Sequence, residues 1–542
     1  MDTTADPTPK SYQPPATAAG DRVPVVQKVA YGLGTTLDMW GNWLYPNLVW
    51  AVFNIYLGVP PWLISTALCL NRLVDAVSDP FFGWMSDNTR SRWGRRRPYI
   101  LIGAVLAGVC LPGLVWVTPG WSSTHIFGTE ITNYFWYMVV SSGLYIMIVG
   151  FYNVPYQSLG AELTPDAKER TSVFSYKTAL QKLPEIGLFA GAAFSTATVW
   201  AGATRENLFQ RLGLLVERTI HWFGGLAHSL VALDFGAIGA LLANPFGWAT
   251  PTEGKVNTLL GAQVYMVILG AIMVLVGVNV FVWVKERYYG SVLERKQENI
   301  QIGETVWRTL KCRPFRANLS MAFAYAMGTS MVGTLGYYAT IYYVCRGNVS
   351  VGSLWNFWMG FVGNTVIGVM GVPVFAAVAR RIGKRGAMKC VQISAIAVFI
   401  ATWWLYTPSV VWLQILASGL IAFTGAGFWM LYGAIGADII DYDELEYGKR
   451  REGAFTACGM WIMKVGQALG ILCSGVVLSA TGFDAALGGN QTAGAIFNIR
   501  IYLAAIPVIG LVIALIALSR YGLTDRRVGE IRTELEARRG KV

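Results

Sequence analysis

Three charged side chains stand at helical spacing in an apolar run. They are Arg72, Asp75 and Asp79 of NRLVDAVSDP. Residues three and four apart share a helix face, so the three make one charged stripe. A charge inside a membrane span is costly and faces a partner or a water-filled path. Two carboxylates this close repel each other, and a cation or proton between them relieves the repulsion. A helix rises about 1.5 Å per residue, which puts Asp79 roughly 12 Å inside Asp87 and Asp75 roughly 18 Å inside. Asn153 lies roughly 13 Å inside Glu162 by the same rise, and Lys464 stands mid-way along an apolar run of its own. Asp75, Asp79, Asn153 and Lys464 thus reach one depth and form the candidate coupling set. Asp75 and Asp79 are its metal ligands if the ion is sodium. The bland alternative is an ion-paired cluster that only holds helices together.

A second set surrounds Asp38. Asp38 and Asn42 offer carboxylate and amide groups to hydroxyls, and Trp40, Trp43 and Tyr45 offer ring faces to an apolar surface, as a sugar requires. Trp429, Tyr432 and Trp461 add rings from the far half of the chain. Lys177, Lys182 and Glu185 mark another run as polar-lined. Asp87 with Arg95, Arg96 and Arg97 forms one charged cluster at the end of an apolar run. Asp438, Asp441 and Glu444 with Lys449–Arg451 form another. These clusters either latch two halves or only set topology.

The elements that hold these residues follow from composition. Of 542 residues, 54% are hydrophobic and 14% charged, against about 25% charged in soluble domains. Apolar stretches of roughly 20 residues are long enough to cross a bilayer, and a barrel would show short alternating segments instead. The fold class is therefore an all-α polytopic membrane protein. Twelve spans are expected near 28–57, 61–87, 98–118, 131–161, 172–201, 258–284, 315–345, 351–380, 387–406, 409–438, 454–481 and 496–520. The net charge of +12 sits in short loops, notably 90–97, 168–170, 380–385 and 449–451. That is the pattern of cytoplasmic loops rather than of a nucleic-acid face, and it puts both termini inside. The 7 cysteines are scattered without metal spacing or a disulfide framework.

The division into domains reads as a polar tail over 1–24, six spans over 25–284, a charged central loop over 285–314, six spans over 315–521 and a tail over 522–542. The halves echo each other. GRRR at Gly94 is matched by GKRG at Gly383, and Gly160-Ala161-Glu162 by Gly436-Ala437-Asp438. Duplicated halves with a site between them characterise transporters. The segment 202–259 breaks the repeat. It reads as two helices, Asn207–His228 and Leu230–Ala243, which lie on the membrane or cap its outer side, with a re-entrant hairpin over Gly224–Ala243 as the rival.

RLVDAVSDPFFGWMSDNTRSRWGRRRP, NVPYQSLGAELTPDAKERTSVFSYK and ADIIDYDELEYGKRREGAFTACGMWIMKVG resemble the glycoside–pentoside–hexuronide:cation symporters of the major facilitator superfamily, which include the melibiose carriers. The resemblance implies two pseudo-symmetric six-helix bundles. It implies that Asp75 and Asp79 bind the coupling cation with Lys464 in the same network. It further implies that Asp38 holds sugar hydroxyls, that Lys177 stands where a sugar-binding arginine is usual, and that Trp429 lies near the sugar. Against the melibiose type, Asn153 replaces an aspartate serving sugar and cation, Gly150 a threonine that aids sodium, and Gln157 a sugar-stacking tryptophan. These departures make a proton as serious a candidate as sodium.

The expectation is a multi-pass inner-membrane symporter, functional as a monomer. It moves a sugar or glycoside with Na+ or H+, and has no other cofactor, no nucleic-acid partner and no enzymatic activity. The rivals are an uncoupled facilitator, a symporter of a non-sugar solute, and a membrane-embedded enzyme or sensor. The last lacks a nucleophile motif, and the three histidines (His125, His221, His228) fall in extracytoplasmic loops.

Overall fold

The computed structural model describes residues 22–539 apart from 127–128, 165–166, 233, 251–253, 287–308 and 448–451. Nearly all of the expected tail 1–24 and most of the loop 285–314 lie outside the described residues, as do Lys449–Arg451. So does the Asp87 side chain.

Helices form where the sequence placed them. Span 1 runs through Val25–Leu33, Thr35–Val49 and a π-helical turn, Trp50–Tyr56. Span 2 is Pro61–Asn88, opened by a proline whose missing N–H costs nothing in a first turn. Span 3 joins Arg97–Cys110 to a 3-10 turn, Leu111–Val115; span 4 is Asn133–Glu162; span 5 is Ala167–Leu180 with Lys182–Ser195; span 6 is Thr258–Trp283. Span 7 is Arg313–Tyr338 with the π-helical Ala339–Val344. Span 8 starts as Val349–Trp358 and Met359–Ile367 and continues into the helix Gly371–Leu405, whose later part, beyond a break at Gly383, is span 9. Leu413–Tyr447, Glu452–Ala480 and Ala493–Ser519 are spans 10, 11 and 12. Asn257, Asn348 and Thr492 cap spans 6, 8 and 12, each side-chain oxygen accepting from a first-turn N–H.

Seven stretches among the described residues are apolar and long enough to cross a membrane, one of them joining spans 8 and 9. The segments that fall short are spans 1, 2, 5 and 7. Spans 1, 2 and 5 hold Asp38, Arg72, Asp75, Asp79, Lys177 and Lys182. Their polar residues lower the mean hydropathy, and most of them line the cavities between the halves rather than face the lipid. Val77, Val109, Leu275 and Trp404 are among the exposed large side chains that remain for the lipid.

The two halves pack alike. Spans 2 and 4, 3 and 6, and 1 and 6 meet in the first half; spans 8 and 10, and 7 and 12, meet in the second. Arg500 of span 12 donates to the Trp403 carbonyl of span 9 at 2.9 Å, completing the second set. Between halves, span 2 packs on span 11 and span 5 on span 8, two contacts that the internal repeat interchanges. The echoed sequences become equivalent joints. Gly94 and Gly383 both have positive φ, 106° and 77°, so a side chain is disfavoured at each turn. The next residue then pairs with the acid at the end of the following antiparallel span: Arg95 to Glu162 at 2.6 Å, and Lys384 to Asp438 at 2.6 Å.

Three features depart from the expected layout. Span 10 runs on to Tyr447 because DYDELEY stays helical beyond its apolar part. A hairpin, β1 (Ser123–Ile126) with β2 (Thr129–Thr132), links spans 3 and 4. In the segment 202–259 the helices are Leu208–Val231 and Phe235–Ala243, the second shorter than expected because Asp234 caps it by accepting from the Ala237 N–H. Leu208, Leu212 and Leu215 pack on the core at the end opposite the basic loops. Arg218 holds the segment together by donating to the Gly247 carbonyl at 3.1 Å and ties it to the end of span 5 by donating to the Thr198 hydroxyl at 3.2 Å.

Candidate functional site

Span 2 carries the charged stripe inward and span 11 meets it from the other half. The Lys464 ammonium lies 2.9 Å from Asp75 and 2.5 Å from Asp79. One lysine of the second half therefore bridges two carboxylates of the first. Arg72 is within 3.9 Å of Asp75, but its hydrogen bonds run to Asn42 of span 1: to the carbonyl at 2.8 Å and to the side-chain oxygen at 3.4 Å. Its guanidinium also lies over the Trp43 ring, 4.6 Å from the centroid. Arg72 thus links the stripe to the Asp38 cluster.

In that cluster Asp38 accepts from Asn42 at 3.1 Å and from Asn153 at 2.9 Å. Asn153 accepts in turn from Gln157 at 3.1 Å. An amide both donates and accepts, so Asn153 passes the chain on from span 1 through span 4. Asn153 therefore sits with Asp38 and is bonded to neither Asp75 nor Asp79. Lys177 of span 5 lies 5.4 Å from the centre of the Tyr156 ring.

Both clusters line one cavity of about 460 Å³, walled by spans 1, 2, 4 and 11 and including Trp461 and Gln467. Trp429 does not line it. That ring faces a separate cavity of about 1150 Å³ between span 5 and spans 8 and 10, whose lining includes Arg170, Thr178, Lys182, Tyr325 and Asn364. A third cavity of about 350 Å³ lies deeper; it shares Trp43 with the first and Asn364 with the second.

The chain is thus built from two like halves whose opposite charges meet between them. A family model described as MFS/sugar transport protein matches residues 30–525. The chain belongs to this family of transporters. It is 26% identical to an uncharacterized symporter of Synechocystis sp., over 96% of this chain and 98% of that one. It is 23% identical to the isoprimeverose transporter of Lactiplantibacillus pentosus, over 94% and 91% of the two chains. The structure resembles that of a bacterial homolog of the human lysosomal transporter Spinster in its inward-facing, unoccupied conformation. The TM-score is 0.58 at 13% identity, covering 95% of this chain and 98% of that one, a likeness of fold. The resemblance to the glycoside–pentoside–hexuronide:cation symporters within the major facilitator superfamily is thereby borne out, and this transporter is a multi-pass membrane protein.

Among the described residues, three of the expected gate residues, Arg95, Arg96 and Asp438, have partners in their own halves. Arg95 and Arg96 both donate to Glu162, and Lys384 to Asp438. Arg97 lies against span 6, donating to the Phe281 carbonyl. A latch of Arg95 or Arg96 to Asp438 across the halves is not what this conformation contains. Asp441 stands on the helical extension of span 10, past the apolar part.

Contacts between halves occur at the end opposite the basic loops. Tyr338 donates to Asn54 at 2.5 Å, and Ser350 to the Thr196 carbonyl at 2.6 Å. Nearer the middle, Thr365 donates to Glu185 at 3.2 Å. Reading by charge and depth found Asp75, Asp79 and Lys464 but missed Arg72's bond to Asn42 and the hydroxyl of Thr365. The Asn42 carbonyl and a lone threonine hydroxyl leave no mark in sequence; Arg72 was visible as a charge whose partner was not.

Proposed function

We propose that this transporter is a symporter of a sugar or glycoside, driven by Na+ or H+, in the cell inner membrane, and that it works by alternating access without enzymatic chemistry. The observation that carries the reading is Lys464 of one half bridging Asp75 and Asp79 of the other. In a poorly solvated interior the two carboxylates need positive charge. Lys464 supplies it now. An entering cation or proton supplies it instead, and span 11 is then released from span 2. The solute binds beside this set, against Asp38, Asn42, Asn153, Gln157 and Lys177; Trp429 faces the separate cavity and is not among its contacts in this conformation. Binding of both partners then favours the conformation in which the end now in contact opens. The basic loops face the cytoplasm, both termini lie inside, and Asp87, Arg95, Arg96, Arg97, Asp438 and Asp441 re-pair across the halves when that side shuts. One chain suffices.

The test is uptake into proteoliposomes with and without an imposed Na+ or proton gradient. Asp79→Asn is expected to abolish gradient-driven accumulation while leaving exchange or downhill flux. Accumulation at the native level in that variant sinks the coupling role. A second reading, an uncoupled facilitator, has one observation in its favour: Lys464 and Arg72 already stand against Asp75 and Asp79. It requires uptake that ignores every imposed gradient.

A further inference from the structure

The segment 202–259 is used neither by the repeat nor by the transport site. Its long helix, Leu208–Val231, has three faces. Leu208, Leu212 and Leu215 pack on the core. Gln210, Glu217, His221 and His228 form an exposed polar stripe. Phe209, Val216, Ile220, Phe223 and Val231 form an exposed apolar stripe, from 56% open at Phe223 to 87% at Val231. With 3.6 residues per turn, the apolar stripe lies about 100° from each of the other two. A helix with protein on one side and water on another needs no third face. This one has a third face, apolar and uncovered.

The height of the helix is set at two points. Arg205, just before it, lies over the Trp116 ring at the end of span 3, 5.6 Å from the centroid. Arg218, ten residues into it, donates to the Thr198 hydroxyl just past span 5 at 3.2 Å. Over that roughly 15 Å of helix the chain stays level with the span ends. Trp116 and Trp121 are exposed there, and tryptophan favours the boundary between lipid and water. The helix therefore runs along that boundary.

The rest of the hairpin is poor in charge. Residues 219–243 contain no lysine, arginine or glutamate, and one aspartate, Asp234. Trp222 donates to the Leu241 carbonyl at 2.8 Å, which holds Phe235–Ala243 against the long helix, and Leu242 is exposed. Span 6, into which the segment leads, exposes Val267, Ile268 and Leu275, a surface suited to lipid. The long helix packs mainly on Phe235–Ala243, Pro245–Gly247 and Thr198–Trp200. All three belong to the first half, so the helix is not a cap laid across both halves.

We propose that this hairpin is a lipid-docking surface in the leaflet away from the basic loops. Phe209, Val216, Ile220 and Phe223 lie among the upper acyl chains of phospholipids, and the stripe of Gln210, Glu217, His221 and His228 faces water. An interfacial helix is held in this way by its apolar face. The proposal does not depend on the symport reading.

The test uses the full chain in phosphatidylcholine liposomes. Val216→Cys, Phe223→Cys, Gln210→Cys and His221→Cys are made singly in a chain freed of its native cysteines, and each carries a nitroxide. Paramagnetic resonance compares access of oxygen, which concentrates in lipid, with access of a water-soluble nickel complex. The oxygen-to-nickel ratio is expected to be about threefold or more higher for the labels at Val216 and Phe223, at a depth of roughly 5–10 Å below the headgroups. Equal ratios for all four labels overturn the proposal. So does broadening of the Phe223 label that grows with the protein-to-lipid ratio, which would seat a second copy on this face. The native chain supplies an independent measurement. A phospholipid with a diazirine on its upper acyl chain is expected to label residues 209–231, and labelling confined to the spans overturns the proposal.

Discussion

Lys464 is the residue on which the two halves share charge. Its side chain is 22% exposed, and those of Asp75 and Asp79 are 7% and 31% exposed. Removing one member of a buried ion pair costs about 3–5 kcal/mol because a charge is stranded, and the partial exposure here puts the loss at the lower end. Lys464→Met should therefore destabilise the protein by about 3 kcal/mol. Adding Asp79→Asn should recover most of that loss, since one carboxylate then remains beside Arg72. Thermal unfolding in detergent of the single and double variants measures both; equal melting temperatures for the native chain and Lys464→Met would mean that the bridge contributes nothing. At this scale charge and depth alone marked Asp75, Asp79 and Lys464. They did not separate Asn153 from the coupling set, because depth says nothing of which neighbour an amide faces.

At the scale of elements, the repeat is visible in two turns. Gly94 and Gly383 each sit between a span and the next with positive φ. At Gly383, φ 77° and ψ 166° lie in a region open essentially to glycine, where any other residue costs of order 1–3 kcal/mol. Gly383→Ala is expected to lower stability by that amount, and Gly386→Ala, within a regular helix three residues on, by much less. A melting comparison of the two decides whether the turn is strained as described. Gly94 has a second constraint, since a Cβ there would lie 2.7 Å from the Glu286 carboxyl carbon, and Glu286 accepts from the backbone N–H groups of Arg95, Arg96 and Arg97. Span positions were legible because an apolar run of bilayer length has one outcome. The added turns of span 10 were not, because hydropathy drops at Asp438 while helix propensity does not. The π-helical turns Trp50–Tyr56, Ala339–Val344 and Met359–Ile367 also carry no sequence signal that we find.

At the scale of the whole molecule the halves meet through spans 2 and 11 and spans 5 and 8, and they touch at the end away from the basic loops. Ser65 of span 2 and Gly475 of span 11 come within contact there. The Ser350 hydroxyl reaches the Thr196 carbonyl at the same end. Ser350→Cys with Thr196→Cys, in a chain freed of its native cysteines, should be joined in this conformation by a short, cleavable thiol crosslinker. The link should block uptake until it is cleaved, since alternating access requires the halves to part at that end. Robust transport with the link intact, by gel shift and uptake on the same sample, would exclude such a movement. The amino-acid sequence by itself marked the apolar helices, the echoed motifs of the two halves and the charges set within apolar runs. Apolar length, loop charge and helical spacing are local quantities that need no partner to be read. The tertiary structure decided what those charges do for one another. It gave Lys464 to both aspartates, Asn153 to Asp38, Arg95 and Lys384 to the acids of their own halves, and Lys182 to a cavity apart from the coupling site. Each of these pairings joins residues on different spans or sets a side chain against a wall from the other half. They depend on how helices rotate and cross once packed, and no spacing along one helix contains that.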